Sequence, residues 1–143
     1  MSFLLDTNVI SEVTKPRPNA AVIEWLASVA ESELFLSVIT LAELRRGVEK
    51  LAPGHRKAEL DAWLTEQLPA RFGPRLLTID AATADHWGRI VARRESAGHP
   101  TGVMHALLAA SALQHGLTLV TRNTADFDAT GVRIFNPWPA QRL

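Results

Sequence analysis

The sequence predicts an α/β fold of three layers, helices on both faces of a largely parallel sheet. Three observations predict it: short apolar runs of strand length recur along the chain, segments with helical apolar spacing separate them, and polar residues follow the runs at once. A fully buried parallel strand reads as such a run, because both of its faces are covered.

The elements come in order. "FLLD" at 3–6 is the first apolar run, closed by an acid, and "TNVISEV" at 7–13 has the length of a short helix that Pro16 and Pro18 bring to an end. "NAAVIEWLASVAES" places Val22, Trp25, Leu26 and Val29 on one stripe. "ELFLSV" at 33–38 is the second strand, and "TLAELRRGVEKL" puts Leu41, Leu44, Val48 and Leu51 on one face of the helix after it. "APGH" separates this helix from "HRKAELDAWLTEQL" without the length of a domain linker. "RLLTID" is the third strand, and its Asp80 reads as the N-cap of "AATADHWGRIVARRESAG", which stops at Gly98 with Pro100 beyond. "GVMHALLAASALQH" is a helix feeding the strand "LTLVTRN" at 117–123, and "VRIFNP" at 132–137 is the last strand. Trp25, Trp63 and Trp87 stand among apolar residues at helical spacing, which assigns them to the core or to a subunit interface before any base-stacking role.

Composition bounds the rest. At 143 residues the chain has the length of one domain, 1–143, with no internal repeat or low-complexity tract. Hydrophobic residues at 47% and charged residues at 21% are ordinary globular usage, and no apolar run approaches the roughly 20 residues of a membrane span. "MSFLLDTN" lacks a basic region and a long apolar stretch, so a cytoplasmic location is expected. With no cysteine, thiolate metal sites and disulfides are excluded. Fifteen basic and fifteen acidic residues leave no net field to draw in nucleic acid, so RNA binding would need a local patch. The basic residues are twelve arginines against three lysines, and those on helices, Arg45, Arg46 and Lys50 or Arg89, Arg93 and Arg94, read first as solvent-facing.

In an open parallel sheet the ligand crevice lies beyond the carboxyl ends of the strands. Asp6, Thr7 and Asn8 come after the first strand; Glu43 lies in the first turn of the helix after the second; Thr121, Arg122, Asn123 and Asp126 come after the fourth. Each has a local explanation. Asp6 can cap its helix, Thr40-x-x-Glu43 has the form of a capping box, and Asn123-x-x-Asp126 has that of a cap or an Asx turn. Taken together, three carboxylates from distant segments converge on one sheet edge, and like charges gathered there call for a cation. Oxygen ligands select a hard ion, Mg²⁺ or Mn²⁺, which lowers the pKa of a bound water and shields charge on a phosphoryl group. A second ion fits the same chemistry, and no Ser/His/Asp set offers a rival nucleophile.

A phosphoacceptor receiver domain also combines a parallel sheet, an acidic pocket and Mg²⁺. Such a domain would show paired acids after the first strand and a lysine after the last, whereas Asp6 stands alone and no lysine comes after Lys57.

Four blocks carry a resemblance: "LLDTNVISE" at 4–12, "SVITLAELRRG" at 37–47, "GVMHALLAASALQHGLTLVTRNTADF" at 102–127 and "IFNPW" at 134–138. In this order they resemble a PIN domain, most of all the VapC toxins with their FitB-like branch. The resemblance spans essentially the whole chain. It implies a PIN-like α/β/α endoribonuclease toxin of a type II toxin–antitoxin system that cuts structured RNA, transfer or ribosomal, with Mg²⁺ or Mn²⁺. It also implies a homodimer and a VapB-type antitoxin that threads a peptide through the acidic groove. By position, Asp6, Glu43 and Asp126 match the family's metal-holding acids, and Asn8, Thr121 and Asn123 match its supporting polar residues. Arg122 is a candidate phosphate contact, with a surface ion pair as the alternative.

One position departs. The family pattern resembles "GVMDALLAA", and His105 stands where it has an aspartate that helps hold the metal. At the start of a helix the dipole disfavours imidazolium while neighbouring carboxylates favour it. Three readings of His105 stand side by side. It is a ligand that weakens Mg²⁺ binding and shifts preference toward Mn²⁺ or Zn²⁺; it is a disabling change, one base from an aspartate codon; or it marks a natural inactive homologue that binds antitoxin as a regulatory module. A histidine merely packed beside a core helix is the remaining alternative, against which Leu108, Ala109 and Ala112 turn its face toward the crevice.

Overall fold

The computed structural model describes residues 1–140, and the three-layer expectation holds across them. Five short strands form one sheet in the order β3-β2-β1-β4-β5: β1 Phe3–Leu5, β2 Leu34–Ser37, β3 Leu76–Leu77, β4 Thr118–Val120 and β5 Ile134–Phe135. Every pairing is parallel, with Leu4 opposite Phe35 on one side and Leu119 on the other.

The strand pleat divides the core in two. Leu5, Leu36 and Val120 point into one layer, where they meet Val9 and Ile10 of α1 (Thr7–Val13) and Val22 of α2 (Ala20–Ser28). Leu44 and Val48 of α3 (Val38–Glu49) and Leu68 and Phe72 of α5 (Leu68–Phe72) complete that layer. Leu4, Leu77 and Leu119 point into the other, against Ile90 of α6 (Ala81–Ser96) and the small residues Ala106, Ala109, Ala110 and Ala112 of α7 (Val103–His115). Alternation along β1 and β4 therefore sends successive side chains to opposite layers, as a period of two requires. The expected core role of the tryptophans holds: Trp25 and Trp63 pack on the first layer and Trp87 on the second.

The chain runs from β1 outward through β2 to β3, then returns to lay β4 on the other side of β1. The strand order thus reverses at β1 and β4, and the crevice at such a switch point opens beyond their carboxyl ends. Backbone hydrogen bonds carry the pairing past the strand ends, Asp6 N to the Val120 carbonyl at 2.9 Å between β1 and β4 and Thr121 N to the Phe135 carbonyl at 3.0 Å between β4 and β5.

Several local readings are met and several are corrected. Asp80 caps α6 as expected, accepting from Thr83 N at 3.0 Å while the Thr83 hydroxyl accepts from Asp80 N at 3.2 Å. Gly98, just past the end of α6, takes a left-handed φ of 76°, the conformation that favours glycine. The capping box at Thr40 is not formed. α3 starts earlier, with Ser37 as its cap, Oγ accepting from Ile39 N at 3.0 Å, and Thr40 is buried inside the helix. The helix over 55–68 is continuous but changes character: α4 (His55–Ala62) passes through a π-helical turn, Trp63–Gln67, into α5, and Leu51 is exposed. Arg94, expected at the surface, is buried; its guanidinium donates to the His99 carbonyl at 3.1 Å and to the Asp128 carbonyl, tying the entry of α7 to the segment after β4.

Candidate active site

Asp6 is the N-cap of α1 and the first residue past β1, so its carboxylate stands at the switch point with only 4% of the residue exposed. One oxygen, Oδ1, accepts from Thr7 N at 2.7 Å; the other, Oδ2, accepts from Thr121 Oγ1 at 2.7 Å. The capping role and the crevice position are therefore the same geometry.

Thr121 is the organising residue. Its hydroxyl donates to Asp6 and accepts from Asn8 Nδ2 at 3.3 Å and from Asn123 N at 3.0 Å. Asn8 also accepts from Arg122 N at 3.4 Å through Oδ1, so the turn after β4 is stitched to the first turn of α1. The Asn123 side chain makes no cap to the 3₁₀ turn Thr124–Phe127, and the hydrogen bond joining Asn123 to the crevice comes from its backbone. Glu43 enters from α3 through Thr7, whose hydroxyl donates to Glu43 Oε1 at 2.9 Å. Thr7 thus links two carboxylates, with its N–H on one and its hydroxyl on the other; the sequence marks it only as the neighbour of Asp6.

On the opposite wall, His105 Nε2 stands 4.0 Å from Asp126 Oδ2, both partly exposed, and the imidazole packs edge-on against Phe127 with centroids 5.2 Å apart. Phe127 is fully buried, so it anchors the turn that presents Asp126. His105 therefore stands beside the acidic crevice while its ring packs on the core residue Phe127.

The Asp6 carboxyl is held above its ordinary value. Burial is the largest cause; hydrogen bonds from Thr121 and Thr7 and the nearby His105 act against it, and the charge of Asp126 adds to the rise. A buried carboxylate that resists ionising is relieved by a cation, which is how this crevice fits a divalent ion. Among the described residues no three His, Asp or Glu side chains close into a ready-made cage. An ion here would rest on one or two carboxylates and keep several waters, the habit of Mg²⁺ and unlike that of a dedicated Ca²⁺ or Zn²⁺ cage.

Comparison with known proteins decides the family. The PIN domain family model matches residues 3–132. The chain belongs to the PIN-domain family. It is 41% identical over 135 residues to toxin FitB of Neisseria gonorrhoeae, covering 94% of this chain and 97% of that protein. It is 38% identical over 136 residues to the VapC ribonuclease Y4jK of Sinorhizobium fredii, covering 94% and 96%. The crystal structure of FitAcB from Neisseria gonorrhoeae matches with a TM-score of 0.90 at 40% identity, over 95% of this chain and 98% of that one. The PIN fold thus accounts for the strand order, and with it for the meeting of Asp6 and Thr121. PIN-domain ribonucleases depend on divalent metal in general, in keeping with the acidic crevice of this PIN domain. No helix among the described residues is long and apolar enough to cross a membrane.

Proposed function

We propose that residues 1–143 act as one PIN domain whose activity is that of an endoribonuclease toxin in a type II toxin–antitoxin system, cleaving structured RNA such as transfer or ribosomal RNA. The observation that carries this reading is the buried Asp6 at the strand-order reversal, with Glu43 tied to it through Thr7 and with Asp126 and His105 on the facing wall. The similarity to toxin FitB and to the VapC ribonuclease Y4jK supports it.

In this reading Asp6, Asp126 and Glu43 surround Mg²⁺ or Mn²⁺, one or two of them as direct ligands and the rest reaching it through water of its shell. The ion, when bound, lowers the pKa of a water and neutralises charge on the phosphoryl oxygens. Thr121 and Thr7 fix the two oxygens of Asp6, so that one carboxylate orientation is available without reorganisation. Asn8 and the Asn123 backbone in turn fix Thr121. His105 takes a place in the same crevice as a fourth site residue. The partners that fit are an RNA substrate, a VapB-type antitoxin whose peptide covers the groove, and a second copy of the chain as a homodimer, all in the cytoplasm.

His105 favours a second reading, an inactive homologue that binds antitoxin as a regulatory module, because an imidazole brings no negative charge to the ion. The two are separated by incubating the purified chain with total transfer RNA in Mg²⁺ or Mn²⁺, with EDTA and Asp6→Ala as blanks. Discrete fragments that vanish in both blanks support the ribonuclease. No fragments in any condition support the binding module.

A further inference from the structure

Arg122 differs from the arginines that meet carboxylates. Arg45, Arg71, Arg75 and Arg89 pair with Asp61, Glu31 and Asp85 on the protein surface. Arg122 is exposed, and its guanidinium lies over the Trp138 ring, 5.4 Å from the centroid. Trp138 is itself 8% exposed and packed in the first core layer, so its indole is a fixed shelf. Behind the shelf, the buried Glu12 of α1 lies against the Trp138 side chain, with its own charge met by Lys15 Nζ at 3.1 Å and Asn19 N at 3.3 Å. Trp138 N donates to Asn136 Oδ1 at 3.0 Å, which fixes the turn after β5. In front of the shelf opens a cleft of about 490 Å³ lined by Asn19, Arg122, Asn136, Trp138, Pro139 and Ala140.

We infer that this cleft is a subsite for an RNA phosphodiester adjoining the acidic crevice, with Arg122 as its cationic ligand and Trp138 as the shelf that holds Arg122 in place. The subsite rests on the ribonuclease reading, since it names where the substrate backbone continues. Arg122 directly follows Thr121, the residue bonded to Asp6, so the cleft begins where the crevice ends. A base does not stack on Trp138, because the guanidinium covers that face; the cleft offers planar N–H donors, which suit a phosphate oxygen pair. Asn19, the N-cap of the nine-residue α2, lines the same cleft and adds the partial positive charge of a helix start. A chain with no net charge needs such a local cation to hold RNA beside a group of acids.

The test is fluorescence anisotropy with a fluorescein-labelled single-stranded oligoribonucleotide, in EDTA to prevent cleavage, across a series of KCl concentrations. Parent, Arg122→Gln, Arg122→Lys and Trp138→Phe are compared after circular dichroism shows each to be folded. Loss of one phosphate contact in Arg122→Gln is expected to weaken binding about tenfold. It should also reduce the slope of log K against log[KCl] by about 0.7. Arg122→Lys keeps the parent slope with weaker binding, because the charge remains and the planar stack is lost. An Arg122→Gln protein with the parent slope overturns the subsite, whether or not its affinity falls, since a merely structural arginine leaves the phosphate count unchanged. If that protein also cleaves RNA as the parent does, the ribonuclease reading stands without the subsite. A parent that binds no RNA in EDTA and cleaves none in Mg²⁺ or Mn²⁺ overturns both.

Discussion

The Thr121 hydroxyl donates to Asp6 Oδ2 at 2.7 Å and so bonds the end of β4 to the end of β1 across 115 residues of sequence. That contact adds a side-chain bond to the backbone ladder between the two strands at which the strand order reverses. Thr121→Val keeps the shape and removes the bond, leaving a buried carboxylate oxygen unpartnered. A loss of about 1–3 kcal/mol of stability is expected, measured by urea unfolding at neutral pH. An unchanged midpoint would show that the bond carries no stability.

Asp6 has a second consequence for stability. Its folded-state pKa is raised, so between the unfolded and folded values the native protein binds more protons than the unfolded chain, and its contribution falls as pH rises. The contribution is fully present below the ordinary carboxylate value of about 3.9 and lost through the raised folded value. Asp6→Asn removes the buried charge. Its melting temperature should exceed that of the parent at neutral pH, and the difference should shrink as pH is lowered to about 4. A difference that is flat in pH would contradict the burial of the Asp6 charge. Glu12, held below its ordinary value by Lys15, Asn19 and Trp138 in spite of burial, titrates in the opposite sense in both proteins and cancels in the comparison.

In the proposed reading, the imidazole at position 105 sets ion preference. His105→Asp replaces an imidazole by a carboxylate at a position 4.0 Å from Asp126 in the parent geometry, and hard ions gain most from that charge. Isothermal titration is expected to show tighter Mg²⁺ binding by His105→Asp and a smaller preference for Mn²⁺ over Mg²⁺ than in the parent. Equal Mg²⁺ affinity in the two proteins would remove His105 from the ion's surroundings.

The chemistry of the products separates two roles for the crevice. Attack by water leaves a linear phosphate, whereas attack by the RNA 2′-hydroxyl with His105 as general base leaves a 2′,3′-cyclic phosphate. Cleaved RNA is expected to carry linear ends only, and a 2′-deoxy substitution at the cleaved position should leave cleavage in place. Cyclic ends, detected by mass spectrometry, would move the chemistry from water to the RNA itself.

The layers, the strands and the sheet edge where Thr7 links Asp6 to Glu43 and His105 stands near Asp126 were legible because each depends on local pattern plus one general rule about parallel sheets. Apolar runs identify buried strands, and the carboxyl-end rule gathers the polar residues after them into one crevice. The features that escaped the sequence depend on partners far along the chain. Thr40-x-x-Glu43 has the form of a capping box, but Ser37, at the end of β2, takes the cap because α3 begins as soon as the strand leaves the sheet. Arg94 looks like any helix-surface arginine until the loops carrying His99 and Asp128 fold over it. Thr7 looks like a helix-start threonine, and only the packing of α1 on α3 gives its hydroxyl to Glu43. The π-helical turn at Trp63–Gln67 has no local signal beyond Pro69 after it, since the extra residue is accommodated by packing of Leu64 and Leu68 in the core.

The claim on which these consequences rest is that Asp6 and His105 belong to one ribonuclease site. The most direct test is cleavage of total transfer RNA in Mg²⁺ by four proteins in parallel: the parent, His105→Asp, Asp6→Ala and the double substitution. His105→Asp is expected to cut faster than the parent, and Asp6→Ala to abolish cutting in both backgrounds. Cleavage indifferent to both substitutions would place the activity elsewhere and contradict that claim.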